Sequence, residues 1–147
     1  MNINEEIFSA HKPLEELIED FEFLDDWEDR YAYLIDLGKQ LTQLPEAFKS
    51  DEYKVRGCTS QVWLIHDIVQ DVEKGTIHLF AADSDAFIVR GLVAIVLSAY
   101  SGKSAEEIAN IDLTALFSQI GLEKNLSVSR RNGFAAMINK VKAWSKA

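Results

Sequence analysis

The strand-forming character of this 147-residue chain is concentrated in one stretch, residues 52–83. "EYKVRG", "SQVWLIHDIVQ" and "TIHLFAAD" are rich in branched and aromatic residues. Between the last two, "EKGT" supplies a tight turn in which Gly75 can take a positive φ. Strands this close in sequence leave no room for the crossover helices of a parallel sheet, so they predict an antiparallel meander. Helical patterns lie on either side of it. Sheet and helices are segregated along the chain, and the expected class is α+β, a small three-stranded antiparallel sheet packed with helices.

The helical patterns are specific. From Pro13, Leu14, Leu17, Ile18 and Phe21 recur at spacings of three and four. Asp25 or Asp26 can cap a second helix, in which Trp27, Tyr31, Leu34, Gly38 and Leu41 form one stripe that ends before Pro45. Residues 46–52 read as loop. After the meander, "SDAFIVRGLVAIVLSAY" predicts a helix capped by Ser84 or Asp85, with Ile88, Leu92, Ile95, Val96 and Ala99 facing the sheet. Ser104 to Glu107 spells a capping box, Gly121 ends a further short helix, and a last one begins near Ser127 or Ser129. It buries Phe134, Met137, Ile138 and Val141 and ends near Trp144. No repeat or linker divides the chain, so residues 1–147 form a single expected domain, with residues 1–12 as a loosely held extension.

The net charge of −9, from 24 acidic and 15 basic residues, speaks against nucleic acid and anionic membranes as partners. It leaves open a basic patch on another protein. A single cysteine cannot form an internal disulfide, and the acidic N-terminus lacks the pattern of a signal peptide. The longest apolar run, "FIVRGLVAIVL", is interrupted by Arg90 and too short to span a bilayer. The expectation is a soluble cytoplasmic protein in a reducing environment.

That leaves Cys58, in "VRGCTSQVW", as the residue with chemistry to offer. A lone cysteine is first of all a small core residue. A metal site would need partners, and His11, His66 and His78 stand at no ligand spacing. A cysteine hydrolase needs a base, yet eight residues of extended strand put His66 roughly 26 Å along the chain from the thiol. His78 could approach only across the meander. Lys54 and Arg56 precede the cysteine and would favour its thiolate, and Gly57 lets the backbone turn and a partner come close. Buried core thiol and reactive thiol both stay open on these features.

The wider pattern resembles the SufE family of sulfur-acceptor proteins, including its CsdE branch. Four blocks carry the resemblance, in family order: "WEDRYAYLIDLGKQL", "GCTSQVW", "DSDAFIVRGLVAIV" and "LSVSRRNGFAAMI". The resemblance implies a fold akin to IscU-type scaffolds. It implies that Cys58 takes sulfur from the persulfide of a pyridoxal-phosphate-dependent cysteine desulfurase of the SufS or CsdA type, stimulates that enzyme, and delivers the sulfur to an iron–sulfur scaffold. The chain would then be a stoichiometric sulfur carrier, not an enzyme. It would have no metal or cofactor of its own, only a Cys58 persulfide as intermediate, the pyridoxal phosphate belonging to the partner. By the same resemblance Gly57 and Gln61 flank the acceptor position, Arg130 lies close to its loop, and Asp85 stands where loop motion and desulfurase binding are tuned. "SQVW" is similar to the SufE branch, while "IVRGL" and "FSQIGL" are similar to the CsdE branch. "RRNG" replaces the usual "RSQG", and Ala82 stands where glycine is usual. These departures leave open which desulfurase is the partner, and homodimerisation is open as well. Two other readings stand beside the carrier: a desulfurase-docking module that transfers no sulfur, and delivery to a thio-product other than a cluster.

Overall fold

A computed structural model describes residue 8, residues 12–58 and residues 60–146. In chain order the elements are α1 (Leu14–Phe23), α2 (Trp27–Gln40), β1 (Val62–Asp71), β2 (Gly75–Ser84), α3 (Phe87–Tyr100), α4 (Ala105–Asn110), α5 (Leu113–Gln119) and α6 (Val128–Lys146). Single 3₁₀ turns lie at Glu46–Phe48, Asp51–Tyr53 and Glu123–Asn125. Most of the expected extension falls outside the described residues. Phe8 packs half-buried against the cluster of Leu44, Phe48, Trp63, Ile65 and Ala81, and the Lys12 ammonium pairs with Asp20 at 2.6 Å.

Among the described residues the sheet has two strands where the sequence predicts three. β1 and β2 pair antiparallel from Val62–Ser84 at the inner end to Asp71–Gly75 at the turn, and Gly75 takes φ +79°. The expected first strand, residues 52–57, is cut short at both ends. Asp51–Tyr53 coils into a 3₁₀ turn, and Gly57 reverses the chain at φ +92°. What is left is a bridge from Lys54 to Trp63 and a hydrogen bond from Val55 N–H to Val62 O at 2.8 Å. Beyond that point the outer edge of β1 has no neighbouring strand among the described residues. There the Ile68 N–H is taken by the Asp67 carboxylate at 2.8 Å. The inner half of the hairpin is buried, while Ile68, Val69 and Val72 near its tip are exposed.

α3 is the centre of the molecule. The sequence predicts one apolar face, but every residue from Ile88 to Tyr100 is buried. β2 covers one side of the helix and α2 another, with α1 and α6 completing the enclosure. Contact with α2 is close because two glycines oppose backbone. A Cβ on Gly91 would lie 2.1 Å from Leu34 O, and one on Gly38 2.4 Å from Phe87 O. Most expected caps form: Asp26 accepts from Asp29 N–H, and Ser104 and Glu107 cap α4 reciprocally. The cap of α3 does not. Its N-cap is Ala86, with no side-chain bond to the helix, and Asp85 is turned elsewhere.

Arg90, which in the sequence only interrupts an apolar run, is buried. Its guanidinium pairs with Asp83 on β2, which has no exposed surface. It also donates to Gly38 O at 2.9 Å and Leu41 O at 2.7 Å, satisfying carbonyls at the open end of α2. The second Asp83 oxygen accepts from Leu44 N–H at 3.0 Å. One ion pair thus joins β2, α3, the end of α2 and the loop after it. Removing one member of a buried pair strands the other, at a cost of about 3–5 kcal/mol. Arg90→Ala is therefore expected to lose about that much stability in urea unfolding, and a loss below about 1 kcal/mol would show that the pair is not a structural centre.

Candidate functional site

The site is built where α6 runs beneath the loop between Val55 and Val62. The Val55–Val62 hydrogen bond pins the two ends of that loop, and Gly57 makes the reversal. Cys58 is half-buried, and its Sγ lies 3.6 Å from Gly133 O, at hydrogen-bonding distance for sulfur. Under it is a cavity of about 120 Å³. Val62, Val89, Leu92, Phe134 and Met137 form its apolar wall, and Ser60, Ser127 and Arg130 its polar rim. The resting sulfur is thus tucked against the protein.

Burial pushes the Cys58 thiol above its ordinary pKa. The hydrogen bond acts in the same direction, because a thiol can donate to a carbonyl and a thiolate cannot. The expected help from Lys54 and Arg56 does not overcome this. At neutral pH the thiolate fraction is small, and the masked cysteine is a poor nucleophile.

The other sequence-predicted residues gather around the same loop. Gln61 N–H donates to Asp85 Oδ1 at 3.1 Å, and Asp85 N–H donates back to Gln61 O at 3.3 Å. Asp85 is therefore a clasp on the exit of the loop, not the helix cap the sequence suggested. Arg130 lies on the cavity, with its N–H held by Ser127 Oγ at 3.2 Å. Its Nη1 is buried and has no hydrogen-bond partner among the described residues. That Nη1 thus makes no bond to a loop carbonyl among the described residues, while the side chain lines the cavity together with Cys58.

One residue the sequence reading passed over is Gly133. A Cβ there would lie 3.3 Å from Cys58 Sγ. A glycine inside a helix costs about 1 kcal/mol relative to alanine, and that cost was the available signal. Gly133, Ala136, Lys140 and Trp144 make one stripe along α6. A Cβ on Gly57 would lie 3.4 Å from that of Ala136, Lys140 Nζ donates to Lys54 O at 3.3 Å, and Trp144 stacks on His66. The histidines serve each other: His66 Nε2 and His78 Nδ1 are 2.8 Å apart, and neither lines the Cys58 cavity. Among the described residues no histidine lines the Cys58 cavity. His11 lies outside the described residues, among which no cluster of three or more metal-ligating side chains occurs.

Two outcomes are expected. Alkylation of Cys58 by iodoacetamide should rise with pH through a midpoint above that of an ordinary thiol, about 8.5, and return toward that value in urea; equal midpoints would remove masking by burial. Gly133→Ala should keep or raise the melting temperature, through better helix propensity, while displacing the sulfur and speeding alkylation at neutral pH. An unchanged rate would show that the close approach at Gly133 does not mask the thiol.

Residues 15–144 match the SufE family model, described as the Fe-S metabolism associated domain. The chain is 52% identical to an uncharacterized SufE-like protein of Rhizobium etli, across 97% of this chain and 94% of that one. It is 41% identical to the sulfur acceptor protein CsdE of Escherichia coli, across 95% and 92%. A solution structure of a hypothetical protein from Thermus thermophilus shares the fold, with a TM-score of 0.68 at 19% identity, covering 90% of this chain and 93% of that one. The chain belongs to the SufE family.

Proposed function

We propose that this protein accepts sulfur from a cysteine desulfurase onto Cys58, holds it as a persulfide and passes it on for iron–sulfur cluster assembly. The observation that carries this reading is the placement of the chain's single thiol: on a loop, tucked against a small cavity that Arg130 also lines. The kinship with a relative named as a sulfur acceptor supports it.

The chemistry follows from that placement. Once the loop lifts and Cys58 ionises, its thiolate attacks the terminal sulfur of the donor's cysteine persulfide. The donor S–S bond breaks, the donor cysteine leaves as thiolate, and a new S–S bond forms on Cys58. The sulfur count and the electron count are unchanged, so no oxidant is needed. When the loop returns, the terminal sulfur enters the cavity, where the Arg130 Nη1 can pair with the perthiolate charge. Apolar walls then keep reducing thiols away. The pyridoxal phosphate belongs to the donor enzyme. The docking-only reading would make no use of the thiol, its cavity or the unpaired Arg130 donor, and no observation favours it.

The decisive experiment mixes the protein with a pyridoxal-phosphate-dependent cysteine desulfurase and cysteine. Mass spectrometry should show one added sulfur on the intact chain, removed by dithiothreitol. Cys58→Ser should gain none and should lose the stimulation of desulfurase turnover. If Cys58→Ser stimulates as well as wild type, the carrier reading is wrong. Arg130→Ala should keep its melting temperature and shorten the lifetime of the persulfide against dithiothreitol; an unaltered lifetime would remove Arg130 from this role.

A further inference from the structure

We propose that Lys54, Arg56 and Lys140 form a cationic shelf at the foot of the Cys58 loop that docks a carboxylate-rich segment of the desulfurase. The inference rests on the sulfur-acceptor reading and adds the chemistry by which the partner is recognised.

Acidic side chains outnumber basic ones in this chain by nine, and several of its cations are neutralised. Lys12 pairs with Asp20, Lys49 with Glu46 and Asp83, Lys74 with Glu107, and Arg90 with Asp83. Lys54, Arg56 and Lys140 form no ion pair among the described residues, although acidic residues abound.

Lys140 is held in place. The Lys140 ammonium donates to Lys54 O at 3.3 Å and lies 4.9 Å from the Trp144 ring centroid, so it is not a freely swinging surface charge. Burial, and then the charge of Arg56, hold its pKa below the ordinary lysine value. The two charges repel, and neither residue forms an ion pair among the described residues. A carboxylate arriving from outside would be attracted by both charges, and the half-buried setting of Lys140 screens that attraction less than open solvent would.

The location gives the shelf its use. Lys140 is two turns along α6 from Gly133, about 10 Å at the helical rise, and Gly133 is where Cys58 rests. A partner segment on the shelf would sit beside the thiol without covering it. Arg56 belongs to the same loop as Cys58, two residues earlier, so a partner that engages its guanidinium also holds the loop that must lift. At the exit of the loop stands the Gln61–Asp85 clasp, which presents a carboxylate and not a cation.

The test uses a purified cysteine desulfurase already shown to load Cys58 of the wild-type protein, and measures association at low and at physiological salt. Wild-type affinity should fall as salt rises. Arg56→Glu should weaken binding about three- to tenfold at low salt and flatten the salt dependence. Arg56→Lys should restore most of the affinity. Lys140→Gln, which keeps a donor for Lys54 O, should weaken binding in the same direction, with melting temperatures confirming that each variant is folded. Wild-type affinity and salt slope in both Arg56→Glu and Lys140→Gln would overturn the shelf while leaving sulfur acceptance intact. A wild-type protein that no desulfurase loads would defeat the acceptor reading, and the shelf with it.

Discussion

Asp83 and Arg90 meet inside the protein, and much of the rest follows from that meeting. The pair fixes the end of β2 against α3 and ties both to the last carbonyls of α2. Asp85 lies two residues beyond Asp83, so its position is set by a buried ion pair and not by a free turn. From there its carboxylate reaches Gln61 and holds the exit of the Cys58 loop. A charge pair in the core therefore sets the position of a hydrogen bond at the surface. Such pairs are poor sources of net stability, but they admit few alternative arrangements.

α6 holds the loop from beneath. Small residues stand where the chain must come close, at Gly133 under the sulfur and Ala136 under Gly57, and larger ones follow at Lys140 and Trp144. The contacts at the sulfur are weak singly: one hydrogen bond to sulfur and a small apolar cavity. That weakness suits a loop that must release its cysteine to a partner and take it back.

The sequence made the class and most elements legible because their signals are local. The capping box at Ser104, the Asp26 cap and the turn at Gly75 each rest on a few neighbouring residues. The SufE-like blocks singled out Cys58, Gly57, Gln61, Asp85 and Arg130, and the fold brings these five around one loop. What stayed hidden depends on partners far apart in the chain. Asp85 looked like a cap because it stands before a helix, and only the folded chain shows Gln61 competing for its carboxylate. Arg90 looked like a blemish in an apolar run because Asp83, Gly38 and Leu41 come to it from other elements. The third strand failed because Gly57 and the turn at Asp51 leave too few extended residues between them. Gly133 was overlooked because nothing adjacent in sequence says that a sulfur sits on it.

The edge of β1 that no described strand covers has a consequence for how the protein lives at high concentration. An exposed strand edge with apolar neighbours such as Ile68 and Val69 invites another chain to add a strand. Here Asp67 folds its own carboxylate onto the Ile68 N–H. The donor an incoming strand would need is already occupied, and the intruder would meet a negative charge in its place. Loss of that side chain, as in Asp67→Ala, would leave this donor open to an incoming strand and remove the charge that opposes it.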